Sequence, residues 1–301
     1  MVTRTQWDSA SVFGRDQPTD PDQWVYHYTT VERAAAIALL GGFMLSPLDR
    51  LNDPRESKSR QVVTLTSSDL DGDPPRVVTR EERMSAEKAL AARRSRVRVS
   101  CFTRDSDLGD PGSAKRSDAR GFARPAMWAH YAAQHRGVCL AFDRATLIRH
   151  ATKNFGDRVR LVEVNYMPGF DDALADAEMV NFDRLDLDNH FLHTILPSLA
   201  TKNTDWENER EWRIIIFDDD DTCVLPVENS VVGLVLGIDF REDMLPIAEA
   251  LCSRFGLGDE SVGAISMSNA VLDVHPARGP DGNIAKWDED ASRAGAMFDP
   301  Q

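Results

Sequence analysis

The segment from 202 to 213 carries the residue types with the clearest potential for chemistry. Glutamates stand at alternate positions, Glu207, Glu209 and Glu211, and Arg213 follows two residues later. Side chains alternate between the two faces of a β-strand, so a strand here would place all three carboxylates on one face, where like charges repel. Either these glutamates lie at the surface, or one carboxylate is held at the mouth of a cleft as a general base or as the partner of a developing cation.

A second candidate lies near the N-terminus, in the aromatic sequence Tyr26-His27-Tyr28-Thr29. This sequence is typical of a strand, on which His27 and Thr29 share one face and the two tyrosines share the other. The imidazole and the hydroxyl could hydrogen-bond a ribose. The alternative is a histidine whose hydrogen bonds are satisfied within the core.

The residues from 51 to 56, LNDPRE, have the composition of a rigid turn. Asn52 and Asp53 can hydrogen-bond their own backbone, and Pro54 fixes the φ angle. Amide, carboxylate and guanidinium groups on such a turn suit the rim of a ligand site. A structural Asx turn with surface charges around it is the alternative.

A predicted helix over 126–135 carries a third group, formed by Trp128, His130, Tyr131 and His135. Trp128, Tyr131 and His135 are spaced to lie on one helical face, which indicates either a core stripe or a cofactor-binding face. His130 and His135 are about 140° apart around a helix. They therefore do not form a helical metal-binding pair.

Potential metal ligands also occur together between 183 and 193. They are Asp183, Asp186, Asp188, His190 and His193. Their spacing matches no standard metal motif, and the four cysteines contain no CxxC pair. We expect no resident metal, with a metal-dependent nuclease or phosphatase kept as a lesser alternative.

The hydrophobic pattern predicts the elements that must position these residues. Strands are predicted at 24–29, 43–45, 97–103, 138–142, 159–166, 206–217, 231–236 and 264–274, and helices at 31–40, 81–94, 126–135, 190–202 and 243–255. Because there is no βαβ rhythm, the order favours an α+β fold with small mixed or antiparallel sheets and flanking helices. We expect a flexible arm at 1–22 and one α+β domain at 23–301, with polar insertions at 57–96 and 104–124.

The charge of the chain is acidic and unevenly distributed. Its 301 residues include 35 basic and 49 acidic side chains, for a formal net charge of −14. From 217 onward there are 17 acidic and 5 basic residues, whereas 76–124 holds 13 basic and 7 acidic residues. This argues against a protein that coats nucleic acid but allows a local basic patch for phosphates. No membrane span or signal peptide is predicted, and the spread cysteines favour a reducing cytoplasm.

Several of these blocks, in their order along the chain, resemble a large bacterial domain family of unknown function. The blocks are HYTT, LNDPRE, SCFT, MWAHYAAQHRGVCLAFD and K-x3-W-x2-E-x-EWRI, which span roughly 24–240. The family has no settled activity, so this resemblance brings little biochemistry with it.

A second resemblance is to the ADP-ribosyltransferase superfamily. Its members have a first strand with a His-x-Thr-like sequence and a helix ending in glycine, then a central Ser/Thr strand and a late strand with a glutamate, often ExE. The corresponding stretches here are His27-Tyr28-Thr29, Ser100-Cys101-Phe102-Thr103 and Glu209-Arg210-Glu211. The resemblance implies a split-sheet fold and NAD as substrate.

The same resemblance implies roles for individual residues. His27 would contact the nicotinamide ribose, and Tyr28 or Tyr131 would stack on nicotinamide. Glu211 would bind the ribose 2′-hydroxyl and stabilise the oxocarbenium-like state, with Glu209 orienting the acceptor. The other expected NAD-binding residues are Thr29, Asn52, Asp53, Ser100, Trp128, His130 and Arg213.

We therefore expect a cytoplasmic, NAD-using ADP-ribosyltransferase-like enzyme, a toxin or phage-defence effector, that transfers ADP-ribose to a protein or a nucleic acid. The alternative is a non-catalytic module that senses a nucleotide or binds a protein. No membrane partner is expected, and the sequence leaves the acceptor and the oligomeric state open.

Overall fold

The computed structural model describes residues 20–53, 64–66, 79–106, 119–168, 179–181, 196–218, 223–268, 271–278 and 282–284. The chain divides into two compact units. Unit 1 consists of 1–43, 102–150 and 226–301, and unit 2 consists of 44–101 and 151–225. The single domain expected from 23 to 301 stays a prediction, and the arm at 1–22 lies almost entirely outside the described residues.

The described strands and helices confirm an α+β architecture with a mixed sheet. The strands are β1 Trp24–Thr29, β2 Gly42–Met44, β3 Ser46–Pro47, β4 Thr64–Thr66, β5 Val97–Arg104, β6 Val138–Asp143, β7 Val159–Glu163, β8 Asn165–Met167, β9 Met179–Asn181, β10 Thr201–Asn203, β11 Glu211–Phe217, β12 Val224–Pro226, β13 Val231–Leu236, β14 Val262–Ser268 and β15 Val271–Pro276. The helices are α1 Val31–Leu40, α2 Arg80–Arg94, α3 Pro125–Tyr131, α4 Arg144–Phe155, α5 Leu196–Leu199 and α6 Leu245–Phe255. Among the described helices, none is long and apolar enough to cross a membrane.

Unit 1 is built on a sheet with the strand order β15-β14-β13-β6-β1, followed by the last residues of β5. β13 and β14 run parallel, and the other neighbours run antiparallel. One face of this sheet packs against α3, where Tyr26, Tyr28, Phe122 and Trp128 form a buried aromatic core. The sheet therefore holds the HYTT strand in its interior and not at an edge.

Unit 2 contains the first part of β5 next to β11, which pairs antiparallel with β7. β3 pairs with β5, and β10 pairs in parallel with β8. A hydrophobic core cluster of unit 2 includes Val97, Val99, Leu199 and Ile215. This cluster lies beside the start of β11, where the candidate glutamates occur.

The first helix begins and ends as its sequence predicts. The Thr30 side chain accepts a hydrogen bond from the Arg33 N–H (3.3 Å), and Gly41 closes the helix with a φ of 67°. A threonine N-cap and a left-handed glycine satisfy backbone groups that the helix leaves unpaired. The helix predicted at 81–94 is likewise confirmed as α2, and the one at 243–255 as α6 after a short 3₁₀ turn.

Predicted elements between 159 and 202 and near the C-terminus were wrong in detail. The strand predicted at 159–166 splits into β7 and β8, because Val164 donates its N–H to the Glu211 carbonyl (3.1 Å) and β8 pairs with β10. The helix predicted at 190–202 is helical only at α5 within the described part, and Thr201–Asn203 is a strand. The final strand predicted at 264–274 is a hairpin of β14 and β15.

The polar insertion predicted at 104–124 is ordered at both of its described ends. Asp105 and Arg120 form a buried ion pair of 2.8 Å, and the Ser106 N–H donates to the Ala119 carbonyl at 2.7 Å. Phe122 packs edge-on against Tyr26, with 5.7 Å between ring centroids. These contacts join the two sides of the insertion, so its ends belong to the core of unit 1.

Candidate functional site

Four charged side chains of unit 2 form a buried group, called here the ionic cluster. Its members are Lys202, Glu209, Glu211 and Arg213, and each is at most 5% exposed. Lys202 Nζ lies 2.7 Å from Glu209 Oε2 and 3.2 Å from Glu211 Oε2. Arg213 donates to Glu211 Oε2 through both Nε (2.8 Å) and Nη2. Two anions and two cations therefore face each other in the interior, and their attraction offsets part of the cost of removing these charges from water.

The local backbone explains how two glutamates come to share one cation. Residues Thr204–Glu209 form a 3₁₀ helix, and Arg210 then takes a left-handed conformation with a φ of 44°. The strand predicted from 206 was therefore wrong, since β11 begins only at Glu211. Glu207 is exposed, and Glu209 and Glu211 converge on Lys202. The three glutamates do not line one strand face, and the repulsion expected there does not arise.

Each cation of the cluster is held by further contacts. The Arg213 Nη1 donates to the Leu199 carbonyl at 2.8 Å. The Lys202 ammonium lies 5.5 Å from the centre of the Trp206 ring, within the range of a cation–π contact. Lys202 is also fixed by the pairing of β10, where it stands opposite Tyr166 of β8. The positions of the two positive charges are thus set by the fold of unit 2.

The surroundings keep Glu211 ionised. Burial by itself raises the pKa of the Glu211 carboxyl, but Arg213 and Lys202 outweigh burial, and the pKa lies below its ordinary value. The Tyr166 hydroxyl accepts a hydrogen bond from the Glu211 N–H at 2.8 Å. Burial raises the pKa of Tyr166, so this hydroxyl stays neutral. The result is a carboxylate, at the first residue of a strand, that stays ionised to lower pH than an ordinary glutamate.

The two oxygens of this carboxylate differ. Among the described residues, every hydrogen bond and ion pair made by the Glu211 side chain is made by Oε2. The donors are Arg213 and Lys202. Such one-sided anchoring fixes the orientation of the carboxylate and leaves Oε1 as an acceptor that the described residues do not use.

In unit 1, the HYTT strand separates its side chains onto two faces, as predicted. His27 is half-buried, with its ring centroid 4.8 Å from that of Phe43 and 5.9 Å from that of Phe102. Tyr28 is buried against Trp128, with ring centroids 5.1 Å apart. His27 and Tyr28 therefore belong to opposite faces of β1, and they do not contact one ligand from the same side of the strand.

Several other predicted residues of unit 1 lie in the core. The Tyr28 hydroxyl donates to the Gly121 carbonyl at 2.5 Å, and the Trp128 Nε1 donates to the Phe122 carbonyl at 2.7 Å. Thr29 is also buried. These contacts are those of packed core residues. A role in the core of unit 1 therefore accounts for the positions of Tyr28 and Trp128.

His130 and Tyr131 lie at the end of α3 and are less buried than Trp128. His130 is exposed and Tyr131 is half-buried, with ring centroids 6.2 Å apart. The single helical face expected to join Trp128, Tyr131 and His135 was wrong, because α3 ends at Tyr131. His135 lies in the turn that follows.

That turn has a conformation that sequence reasoning missed. Ala133, Gln134 and His135 have φ angles of 49°, 55° and 68°. Three consecutive residues with a Cβ in the left-handed region are strained. The nearby Gly137 is a partial indication of this tight turn in the sequence, because only glycine fits there. A Cβ at this position would lie 2.2 Å from the Thr29 carbonyl oxygen. The strain is therefore stabilised by close backbone packing against the end of β1.

The remaining predicted residues belong to unit 2. Asn52 is exposed and Asp53 is buried, directly after the 3₁₀ turn Leu48–Arg50. Ser100 is buried on β5. The rest of the LNDPRE turn, 54–56, lies outside the described residues. The structure thus brings Glu209, Glu211 and Arg213 together in one cluster. Asn52, Asp53 and Ser100 belong to the same unit.

No metal site is formed by the part of the chain that the structure describes, where no three His, Cys, Asp or Glu residues are grouped to hold an ion. The five possible ligands between 183 and 193 lie outside that part. All four cysteines are free thiols, and Cys139, Cys223 and Cys252 are buried.

Comparison with known proteins is informative for one part of the chain. No curated protein and no solved structure matches the chain. A family sequence model matches one segment, which begins in α3 and ends in β11. This segment includes MWAHY and the EWR of the ionic cluster. Residues 127–214 match the sequence model of DUF2971, a family described as protein of unknown function.

Proposed function

We propose that this protein cleaves the nicotinamide–ribose bond of NAD, as an ADP-ribosyltransferase or an NAD glycohydrolase, with Glu211 as the catalytic carboxylate. The observation that carries the proposal is the one-sided anchoring of Glu211. Arg213 and Lys202 hold Oε2. No described residue bonds Oε1, so this oxygen can accept a hydrogen bond from a substrate hydroxyl. An ionised carboxylate with a fixed orientation is what this reaction needs.

On this proposal Glu211 Oε1 is the atom that stabilises the transition state of the reaction. When the bond breaks, its electron pair goes to the nicotinamide nitrogen, and positive charge develops on the ribose. A carboxylate that accepts the 2′-hydroxyl proton in a hydrogen bond stabilises this charge, and it does so best when its own position is already fixed. The acceptor, or water in hydrolysis, then forms the new bond to the ribose and gives up a proton.

Glu209 suits the second role in this scheme. Its carboxylate lies 2.7 Å from the ammonium that also contacts Glu211, so the two glutamates act within one small region. On this proposal Glu209 orients the acceptor and accepts its proton. The contacts of His27 and Tyr131 with NAD stay predictions.

The test compares two glutamine variants of the same segment. Purified protein is incubated with NAD and with panels of protein and nucleic-acid acceptors, and released nicotinamide is quantified by chromatography. Glu211→Gln places its amide oxygen toward Arg213 and Lys202, because both are donors, and so puts an NH₂ group in the place of Oε1. We expect a loss of at least about 100-fold in turnover.

Glu207→Gln is the matched control, because Glu207 is exposed and lies two residues before Glu209. It makes the same chemical change and is expected to retain wild-type turnover. Thermal melting of both variants reports whether they fold. The proposal is abandoned if wild-type protein releases no nicotinamide with any acceptor, or if folded Glu211→Gln matches the wild type.

A nucleotide-sensing module is the second candidate. The four buried charges neutralise each other, an arrangement that also suits a structural cluster in a protein that binds a ligand without turning it over. This candidate predicts saturable thermal stabilisation by NAD or another nucleotide, with no release of nicotinamide and no transfer.

A further inference from the structure

The ammonium of Lys202 contacts both carboxylates of the ionic cluster. It lies 2.7 Å from Glu209 and 3.2 Å from Glu211. The Lys202 side chain is 3% exposed, on the central residue of β10. The groups that face Glu211 come from four elements: Lys202 from β10, Glu209 from the preceding 3₁₀ helix, Tyr166 from β8 and Arg213 from its own strand.

Two carboxylates in one buried site do not both ionise without compensation, because each negative charge opposes the other. Arg213 bonds Glu211 through Oε2, whereas Lys202 lies between the two glutamates. Removal of Lys202 would take away the one cluster charge that contacts both carboxylates. It would also release Glu211 Oε2 from one of its two anchoring residues and loosen the orientation of Oε1.

We propose that Lys202 is the positioning residue of this site, which keeps Glu209 and Glu211 ionised together and fixes the oxygen of Glu211 that faces the substrate. This inference rests on the proposed function for its link to catalysis. Lys202 touches no substrate atom and acts through the two glutamates.

The test uses three variants of the full chain. Lys202→Met removes the charge and keeps the length of the side chain, Lys202→Arg keeps the charge, and Lys153→Met is the control because Lys153 is exposed on α4. The pH dependence of nicotinamide release is measured for each, with kcat and KM separated. Thermal melting identifies folded variants.

We expect Lys202→Met to move the acid limb of the profile to higher pH by about one unit or more, since an opposite charge nearby lowers a carboxyl pKa by that order. The loss is expected in kcat. Lys202→Arg restores the limb toward its wild-type position, and Lys153→Met leaves it unchanged. A folded Lys202→Met protein with the wild-type profile overturns the inference, because the charge of Lys202 would then not control the ionisation of the carboxyl that governs the reaction.

A second readout separates this inference from the proposed function. Carbon NMR of side-chain-labelled glutamate follows the titration of the buried carboxyls without any reaction. If wild-type protein releases no nicotinamide, the proposed function fails. The role of Lys202 is still decided by NMR, where the carboxyl titration of Lys202→Met is compared with that of the wild type and of Lys202→Arg. If Lys202→Met does not fold, the test uses Lys202→Arg alone. Both buried carboxyls must then stay ionised in Lys202→Arg over the same pH range as in the wild type. A carboxyl that is protonated within that range refutes the proposal.

Discussion

The strained turn after α3 leads to a stability prediction at Gly237. A Cβ built on Gly237 lies 2.0 Å from the His135 carbonyl oxygen and 2.7 Å from its carbon. Both partners are backbone atoms, so no side-chain rotation relieves the overlap. Gly237→Ala must therefore push the left-handed turn and the end of β13 apart by more than 1 Å, since ordinary Cβ contacts begin near 3.4 Å.

The magnitude follows from the contacts that such a shift would disturb. The Gly237 N–H donates to the Gly137 carbonyl at 3.0 Å, and the Asp239 N–H donates to the His135 carbonyl at 3.1 Å. Overpacking costs about 1–3 kcal/mol, and each of these hydrogen bonds contributes about 1 kcal/mol. We expect a loss of about 3–5 kcal/mol in the free energy of unfolding, which for a chain of 301 residues lowers the melting temperature by roughly 5–8 °C.

Two other glycines of unit 1 provide graded controls. A Cβ on Gly258 meets nothing within 4 Å, so Gly258→Ala should melt like the wild type. Gly256 has the same open space but a φ of 69°, so Gly256→Ala should lose about 1–2 kcal/mol from backbone strain alone. Differential scanning calorimetry and urea unfolding measure the series. If Gly237→Ala is no less stable than Gly256→Ala, the backbone contact at His135 is not tight and the reasoning is refuted.

Three further predictions concern buried polar contacts. Arg213→Met leaves Glu211 with less compensation in the core and should cost about 3–5 kcal/mol in urea unfolding, whereas Arg241→Met, which removes an exposed pair, should change nothing measurable. The lowered pKa of Glu211 means that its contribution to stability is present above the unfolded value of about 4.3 and is lost as the pH falls toward the folded value. Wild-type protein should therefore lose melting temperature on acidification below about pH 5 more steeply than Glu211→Gln. Trp128→Phe removes the donor to the Phe122 carbonyl and should cost about 1–3 kcal/mol, measured by calorimetry.

The sequence predicts best those parts of the fold in which local pattern and burial agree. β6 and β13 are continuous apolar runs, and both are buried strands of the sheet in unit 1. The limits of α1 were readable from Thr30 and from Gly41, because capping depends on a few neighbouring residues. In these segments a local signal and the tertiary environment lead to the same structure.

The sequence fails where residues with a Cβ take a left-handed conformation. Nothing in the types of Ala133, Gln134 and His135 distinguishes them from the continuation of α3, so the helix was extended by four residues. The conformation is determined by distant backbone, at Thr29 and Gly237. Such contacts join parts of the chain that a local window cannot relate.

The ionic cluster shows the same division between residue identity and arrangement. Lys202, Glu209, Glu211 and Arg213 lie within twelve residues and comprise two cations and two anions, the balance that a buried group favours. The sequence does not single them out, because the same segment also holds Asp205, Glu207 and Arg210. Alternation along a strand, however, would have put Glu207 with the other glutamates and given three carboxylates one face. The left-handed Arg210 ends the 3₁₀ helix and starts β11, and it turns Glu209 and Glu211 toward the same ammonium. One backbone conformation therefore decides whether this segment forms a repelling strip of surface carboxylates or a buried cluster of balanced charges.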